Sequence, residues 1–159
     1  MKCPLCAVVE LGESVENHLY LESGLDNITL AGITVRKCPK CGVRMPVIPN
    51  IEGLHRAIAI TLIKQPERLT PKEIVFLRKS MGWSGVDFAR NMHCSSSQVS
   101  KWESGKVPMS KSNELLLRDA VAYGKKISDY RMHEAAVEDQ ARRRGLFLRL
   151  EEDSWKEAA

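Results

Sequence analysis

Four of the five cysteines fall into two CxxC pairs, Cys3-Pro4-Leu5-Cys6 and Cys38-Pro39-Lys40-Cys41, separated by 31 residues. A CxxC turn lets two thiolates face one point, and two such turns supply the four sulfurs of a tetrahedral site. Zn²⁺ fits this donor set, so Cys3, Cys6, Cys38 and Cys41 are expected to hold one structural zinc per chain. Gly42 follows the second pair, where a backbone with positive φ is convenient. Four thiolates leave no open coordination position, and such an ion holds structure without activating water. A single redox-active pair or ordinary thiols would be the alternative, but redox chemistry calls for one CxxC, not two matched ones. His18 and His55 are read as non-ligands and Cys94 as a buried thiol outside the set.

A second signal is electrostatic. The net charge of the 159 residues is only +4, yet it is unevenly placed. Lys plus Arg number six against six Asp plus Glu in residues 1–63, twelve against six in 64–126, and six against eight in 127–159. The middle third is therefore where a polyanion-binding surface belongs. The 43% hydrophobic and 28% charged composition is that of a globular chain. No apolar run is long enough to span a bilayer and no apolar leader opens the chain, so a cytoplasmic protein with no membrane partner is expected.

These features need elements to position them. His18–Glu22 and Ile28–Arg36 are β-rich and flank the turn formers of Ser23–Asn27, which predicts a hairpin between the cysteine pairs. Asn50 is placed to cap a helix to about Ile63, with Ile51, Leu54, Ile58 and Leu62 on its apolar stripe. Lys64–Leu69 then reads as a linker. Thr70, Pro71 and Glu73 form a capping box that opens a helix to about Met81, burying Ile74, Leu77 and Met81. Gly82 ends it. Ser84 caps a second helix with Val86, Phe88, Ala89 and Met92 inward, and Ser95 caps a third that closes at Gly105. Two short helices, a tight turn and a third helix with a small polar amino end suit a DNA major groove. Ser110 caps a fourth helix with Leu115, Leu116 and Leu117 as its core.

The stretch Leu69–Leu117 resembles a helix-turn-helix of the Xre/Cro type, on Ala89 at the helix crossing, Val99 in the third helix and the segment Ser100-Lys101-Trp102-Glu103-Ser104-Gly105-Lys106. The resemblance implies that Ser96, Ser97 and Lys101 reach base edges, that Gln98 adds a contact, and that Lys106 meets a phosphate. It also implies scaffold roles for Trp102 and Glu103, the latter paired internally. Lys101, Lys106, Lys111 and Arg78 are candidates for phosphate attraction. Two departures stand out: Gly85 where the family has Gln, and His93 where it has a turn Gly. The pairing of an amino-terminal CPxC/CPxCG module with the Ile48–Ala59 segment and this domain resembles the MqsA-type antitoxins of type II toxin–antitoxin pairs. That resemblance implies a homodimer that binds a palindromic operator in double-stranded DNA, with the zinc domain holding a small toxin.

The expected fold class is α+β. It comprises a zinc-ribbon-like β domain with a helix (residues 1–63), a linker (64–69), an all-α helix-turn-helix domain (70–126) and a carboxy-terminal extension (127–159). In the extension, Asp129–Arg144 reads as a helix and Leu146–Leu150 as a strand or the last turns of a helix. The expected function is a sequence-specific DNA-binding transcriptional repressor, and the resemblance implies that it is the antitoxin of a type II pair that autoregulates its operon; a stand-alone zinc-stabilised regulator or a protein-interaction adaptor without a toxin partner are the alternatives. An enzyme is disfavoured by the closed zinc site and by the lack of HExxH, GxSxG or a Gly-rich phosphate loop.

Overall fold

The computed structural model describes residues 1–123 and 145–158. In chain order the elements are β1 (Gly12–Leu19), β2 (Ile28–Lys37), β3 (Arg44–Pro46), α1 (Ile51–Lys64), α2 (Pro71–Ser80), α3 (Gly85–Asn91), α4 (Ser96–Glu103), α5 (Lys111–Tyr123), β4 (Leu146–Glu151) and β5 (Ser154–Glu157). They form the expected α+β fold: a zinc-ribbon-like sheet and an all-α, helix-turn-helix-like unit. The first compact unit comprises Met1–Glu22, Asp26–Leu54 and Gly145–Ala159, and the second comprises Ser23–Leu25 and His55–Arg144. The helix expected at Asp129–Arg144 lies outside the described residues.

In the first unit β2 is the central strand. β1 pairs along one side of it in antiparallel register, from Gly12↔Lys37 to Leu19↔Thr29. The other side is shared: β3 pairs with residues 35–37 and β4, in parallel, with residues 28–30. The sheet face that is buried uses Ile28 and Leu30 at one end of β2 and Ile33 and Val35 at the other. Strict alternation would put those two pairs on opposite faces. A bulge resolves this, because Glu16 pairs with Ile33 and His18 with Leu30, so β2 spends one residue more than β1. Gly32 takes that extra place at φ +64°, and its N–H donates to Asn17 Oδ1 at 3.1 Å.

The strand expected at His18–Glu22 runs instead from Gly12 to Leu19, followed by a single 3₁₀ turn at Leu21–Ser23. Hydrophobic patterning misses this start because the inward positions of β1 are Ser14, Glu16 and His18, all half-buried. Glu16 is tolerated there because Lys37 donates to it at 2.5 Å and Arg44 pairs with its other oxygen. These two cations, Lys37 first, hold its carboxyl below the usual range.

The carboxy-terminal residues complete this sheet. Leu146, Leu148 and Trp155 are buried, and the Trp155 indole N–H donates to the Pro49 carbonyl at 3.0 Å. The β4–β5 turn has both central residues at positive φ, Glu152 at +46° and Asp153 at +61°, the geometry of a type I′ hairpin. Asn50, itself at φ +49°, accepts from the Gly53 N–H at the start of α1 and donates to the Asp153 carbonyl, both at 3.1 Å. A Cβ on Gly53 would fall 2.4 Å from the Asn50 amide nitrogen, so the cap requires glycine there. Ile51, expected on the apolar stripe, sits before the buried turns and is exposed.

In the second unit the buried apolar side chains include Ile58, Leu62, Ile63, Ile74, Phe76, Leu77, Phe88, Ala89, Met92, Val99, Trp102, Met109, Leu117 and Val121. Four expected core positions are corrected. Val86 is exposed, since it lies two residues, or about 200°, from Phe88 around α3. Leu115 and Leu116 are also exposed, because the inward stripe of α5 is Glu114, Leu117, Arg118 and Val121. Met81 is the half-exposed cap of α2 and not a core residue. Replacing Trp155 with Ala is expected to cost about 3–5 kcal/mol of stability. Denaturant unfolding at saturating zinc checks this, and an unshifted midpoint would show that the hairpin contributes nothing to the core.

Candidate functional site

The sulfurs of Cys3, Cys6, Cys38 and Cys41 all lie within 4.8 Å of one another. Four sulfurs bonded at about 2.3 Å to one centre would stand about 3.8 Å apart. Cys3 Sγ is 3.5 Å from Cys41 Sγ, and Cys6 Sγ is 3.6 Å from Cys38 Sγ, so the cluster has the size of a tetrahedral zinc site. Neither His18 nor His55 belongs to it: His18 Nε2 stands 3.7 Å from Glu22 Oε2, and His55 packs edge-on against Phe76.

The two knuckles repeat one backbone design. Cys3 N–H donates to Val9 O and Cys38 N–H to Val43 O, both at 3.0 Å. Ala7 N–H returns to Cys3 O at 2.9 Å and Gly42 N–H to Cys38 O at 3.0 Å. The residue after each second cysteine is left-handed, Ala7 at φ +51° and Gly42 at +73°. This turn aims amide hydrogens at sulfur. Cys41 N–H lies 3.4 Å from Cys38 Sγ, and with the Lys40 N–H it brings the Cys38 thiol down to about 6 against partial desolvation. The Cys6 N–H, aided by that of Leu5, lowers Cys3 as well. Cys41 is pulled down by the Val43 N–H, but sharing a proton with Cys38, desolvation and crowding by Cys3 and Cys6 outweigh it and push the thiol up to about 12. Bound zinc supplies the positive charge that lets four sulfurs be thiolates together.

In the helical unit, caps fix the entry of each helix. Thr70 and Glu73 form a reciprocal capping box, as do Ser84 and Asp87, and the Gln98 N–H donates to Ser95 Oγ at 3.1 Å. The Ser84 hydroxyl and N–H hold the Asp87 carboxyl below its usual range, with Arg90 adding to the effect. The turn between α3 and α4 is a Schellman motif: Cys94 N–H reaches Ala89 O at 2.9 Å and His93 N–H reaches Arg90 O at 3.2 Å. His93 occupies its left-handed position at φ +53°. Cys94 is half-buried and outside the sulfur cluster, and burial pushes its thiol up.

On α4, Ser96, Ser97 and Lys101 are exposed, Gln98 is half-buried, and Lys106 is exposed in the following loop. Trp102 is buried against Phe88, with ring centroids 6.1 Å apart. Glu103 pairs internally: Arg78 Nε donates to it at 2.5 Å, while Arg78 Nη1 holds the Trp83 carbonyl at 2.9 Å. Arg78 therefore ties α2 to α4 and to the turn before α3, which removes it from the set of phosphate-attracting cations. Gly85 opens α3 with nothing within 4 Å of where its Cβ would be. It borders a cavity of about 540 Å³ shared with Val86, Ser96 and Ser100.

Sequence reasoning missed a set of linked charges, the half-buried Arg68 with the buried Glu114 and Arg118. Arg118 is fully buried, and its Nη groups donate to the carbonyls of Ile63 (3.0 Å), Gln65 (2.6 Å) and Glu67 (2.7 Å). Glu114 accepts from Arg68 Nε and from the Leu69 N–H. The available signal was Glu114 and Arg118 at i,i+4 within a leucine-rich helix. A four-cysteine zinc module and a helix-turn-helix-like unit define the class of architecture. No known protein family and no curated protein matches the chain. Among the described residues, no helix is long and apolar enough to cross a membrane.

A strong chelator is expected to abolish the β signal of the first unit in circular dichroism, with re-addition of zinc restoring it. Unchanged strand signal after full metal removal would contradict a folding role for the metal. His93→Gly is expected to raise stability by about 1 kcal/mol, because glycine carries no side-chain penalty at positive φ. A lower thermal midpoint would mean that the imidazole does something the backbone does not reveal.

Proposed function

We propose that the protein is a zinc-stabilised, sequence-specific DNA-binding transcriptional repressor that acts in the cytoplasm as a homodimer on a palindromic operator. The observation that carries this reading is the outward face of α4, where Ser96 and Ser97 in the first turn and Lys101 in the last are exposed while Val99 and Trp102 anchor the opposite face. A helix presented in this way enters the major groove with its first turns toward base edges. Ser96, Ser97, Gln98 and Lys101 would discriminate bases. Lys106 would meet a phosphate, and Lys101 and Lys111 would add attraction.

The chemistry agrees with this assignment. Both acidic groups on α3 and α4 are engaged, Asp87 in its capping box and Glu103 by Arg78, so they do not oppose the lysines as lone charges. Gly85 leaves the α3 end without a side-chain contact, but its backbone can still face a phosphate. The metal centre, closed by four thiolates, holds structure and leaves no position for a reacting water.

The narrower reading, an antitoxin that represses its own operon while its zinc domain holds a small toxin, rests on the resemblance to the MqsA-type family. A short reading frame adjacent in the genome, whose product co-purifies with this chain, would support it. Purification alone would favour a stand-alone regulator. Lys101→Ala is expected to weaken operator binding by about 1–3 kcal/mol, or roughly 5- to 150-fold, with a smaller effect on scrambled DNA. Titration of both duplexes at one salt concentration checks it, and an unchanged ratio between them would remove Lys101 from base recognition.

A further inference from the structure

The loop between α4 and α5 carries Lys106 on a short span with two backbone anchors. On one side, the Val107 N–H donates to the Lys101 carbonyl at the end of α4, at 3.3 Å. On the other, the Met109 carbonyl accepts from Arg68 Nη2. Packing beneath the loop is incomplete. A cavity of about 340 Å³ lies there, bounded by Leu69, Pro71, Ile74, Trp102, Val107 and Met109. On this side the loop is held by the buried Met109 side chain together with the bond from Arg68 to its carbonyl, and the span carrying Lys106 depends on where that bond sets the backbone.

Arg68 is well placed to be such a tether because it is itself held. Its Nε donates to Glu114, which is 1% exposed and also accepts the Leu69 N–H. Glu114 stands 3.5 Å from the guanidinium of Arg118, which is locked by three carbonyls in residues 63–67. A planar guanidinium can bond a carboxylate with one edge and a carbonyl with another at fixed geometry, which an ammonium cannot reproduce. The chain Arg118–Glu114–Arg68 therefore ends on the loop's Met109 carbonyl.

We propose that Arg68 is a positioning residue for DNA binding: through Met109 it fixes the loop so that Lys106 is presented to a phosphate. The proposal rests on the DNA-binding reading above. Arg68→Lys preserves the charge and removes the forked bond, so long-range attraction is kept while the tether is lost.

The test uses the full-length zinc-loaded protein and a duplex it selects from genomic fragments, with affinity measured from 50 to 200 mM salt. Arg68→Lys should make the slope of log affinity against log salt shallower, less negative by about 1, the loss of one phosphate contact. The ratio between the selected and a scrambled duplex should stay constant. Lys106→Ala should give the same loss of slope, and the double variant no more than Lys106→Ala alone. Inserting a glycine between Val107 and Pro108 leaves the buried charges untouched and lengthens the tether, and it should reproduce the effect even if Arg68→Lys folds poorly. If Lys106→Ala makes the slope shallower but Arg68→Lys and the insertion do not, the positioning role is overturned while the DNA-binding reading stands. If Lys106→Ala itself leaves the slope unchanged, the phosphate contact is wrong and the proposal falls with it. A purely structural role would reduce the active fraction and the thermal midpoint without moving the slope.

Discussion

The first unit depends on four sulfurs meeting at one point. β1 buries no residue fully and β3 is three residues long, so neither brings enough apolar surface to order itself. The topology shows where the clamp acts. Gly12 at the start of β1 pairs with Lys37 at the end of β2, one knuckle precedes the first and the other follows the second directly. The four cysteines thus close the same end of the sheet, next to the β2–β3 pairing. At the opposite end of β2, β4 takes over, with Leu146 and Leu148 beside Ile28 and Leu30. Metal bonding at one end and apolar burial at the other divide the work of ordering a single long strand.

This arrangement changes how the chain is organised. Residues from both termini build the zinc unit, and the helical unit is inserted between them. Its helices are held by different means, caps and a compact apolar core, supplemented by charges that are themselves in the core. Arg118 is costly to bury, and its cost is offset because it satisfies the carbonyls of Ile63, Gln65 and Glu67 that follow or end α1. Removing Arg118 would leave those three carbonyls without its guanidinium, so the segment 64–69 is fixed by charge recognition in a way that its composition, with Pro66 and flanking charges, does not advertise.

Much of the fold was legible because the deciding signals are local. The cysteine spacing identifies the sulfur cluster directly. Thr70 with Glu73, Ser95 and Gly82 mark helix ends through hydrogen bonds that span three to five residues, and the structure makes each of those bonds. What escaped was non-local or inverted in polarity. The start of β1 carries Ser14 and Glu16 on its inward side, so alternation could not announce it. Leu115 and Leu116 looked like core because Glu114 and Arg118, which hold the inward positions, do not read as apolar. Arg78 counted as a surface cation until its partner Glu103, 25 residues away, was brought beside it. The parallel pairing of β4 with β2 joins residues more than a hundred positions apart, and no periodicity encodes it.

The central claim is that α4 reads base sequence, and selection of bound fragments from genomic DNA, followed by sequencing, tests it most directly. The account predicts enrichment of a single palindromic motif whose half-sites are centred one or more helical turns apart, about 34 Å or a multiple. Recovery of fragments with no shared motif, at affinities no higher than for random DNA, would contradict it.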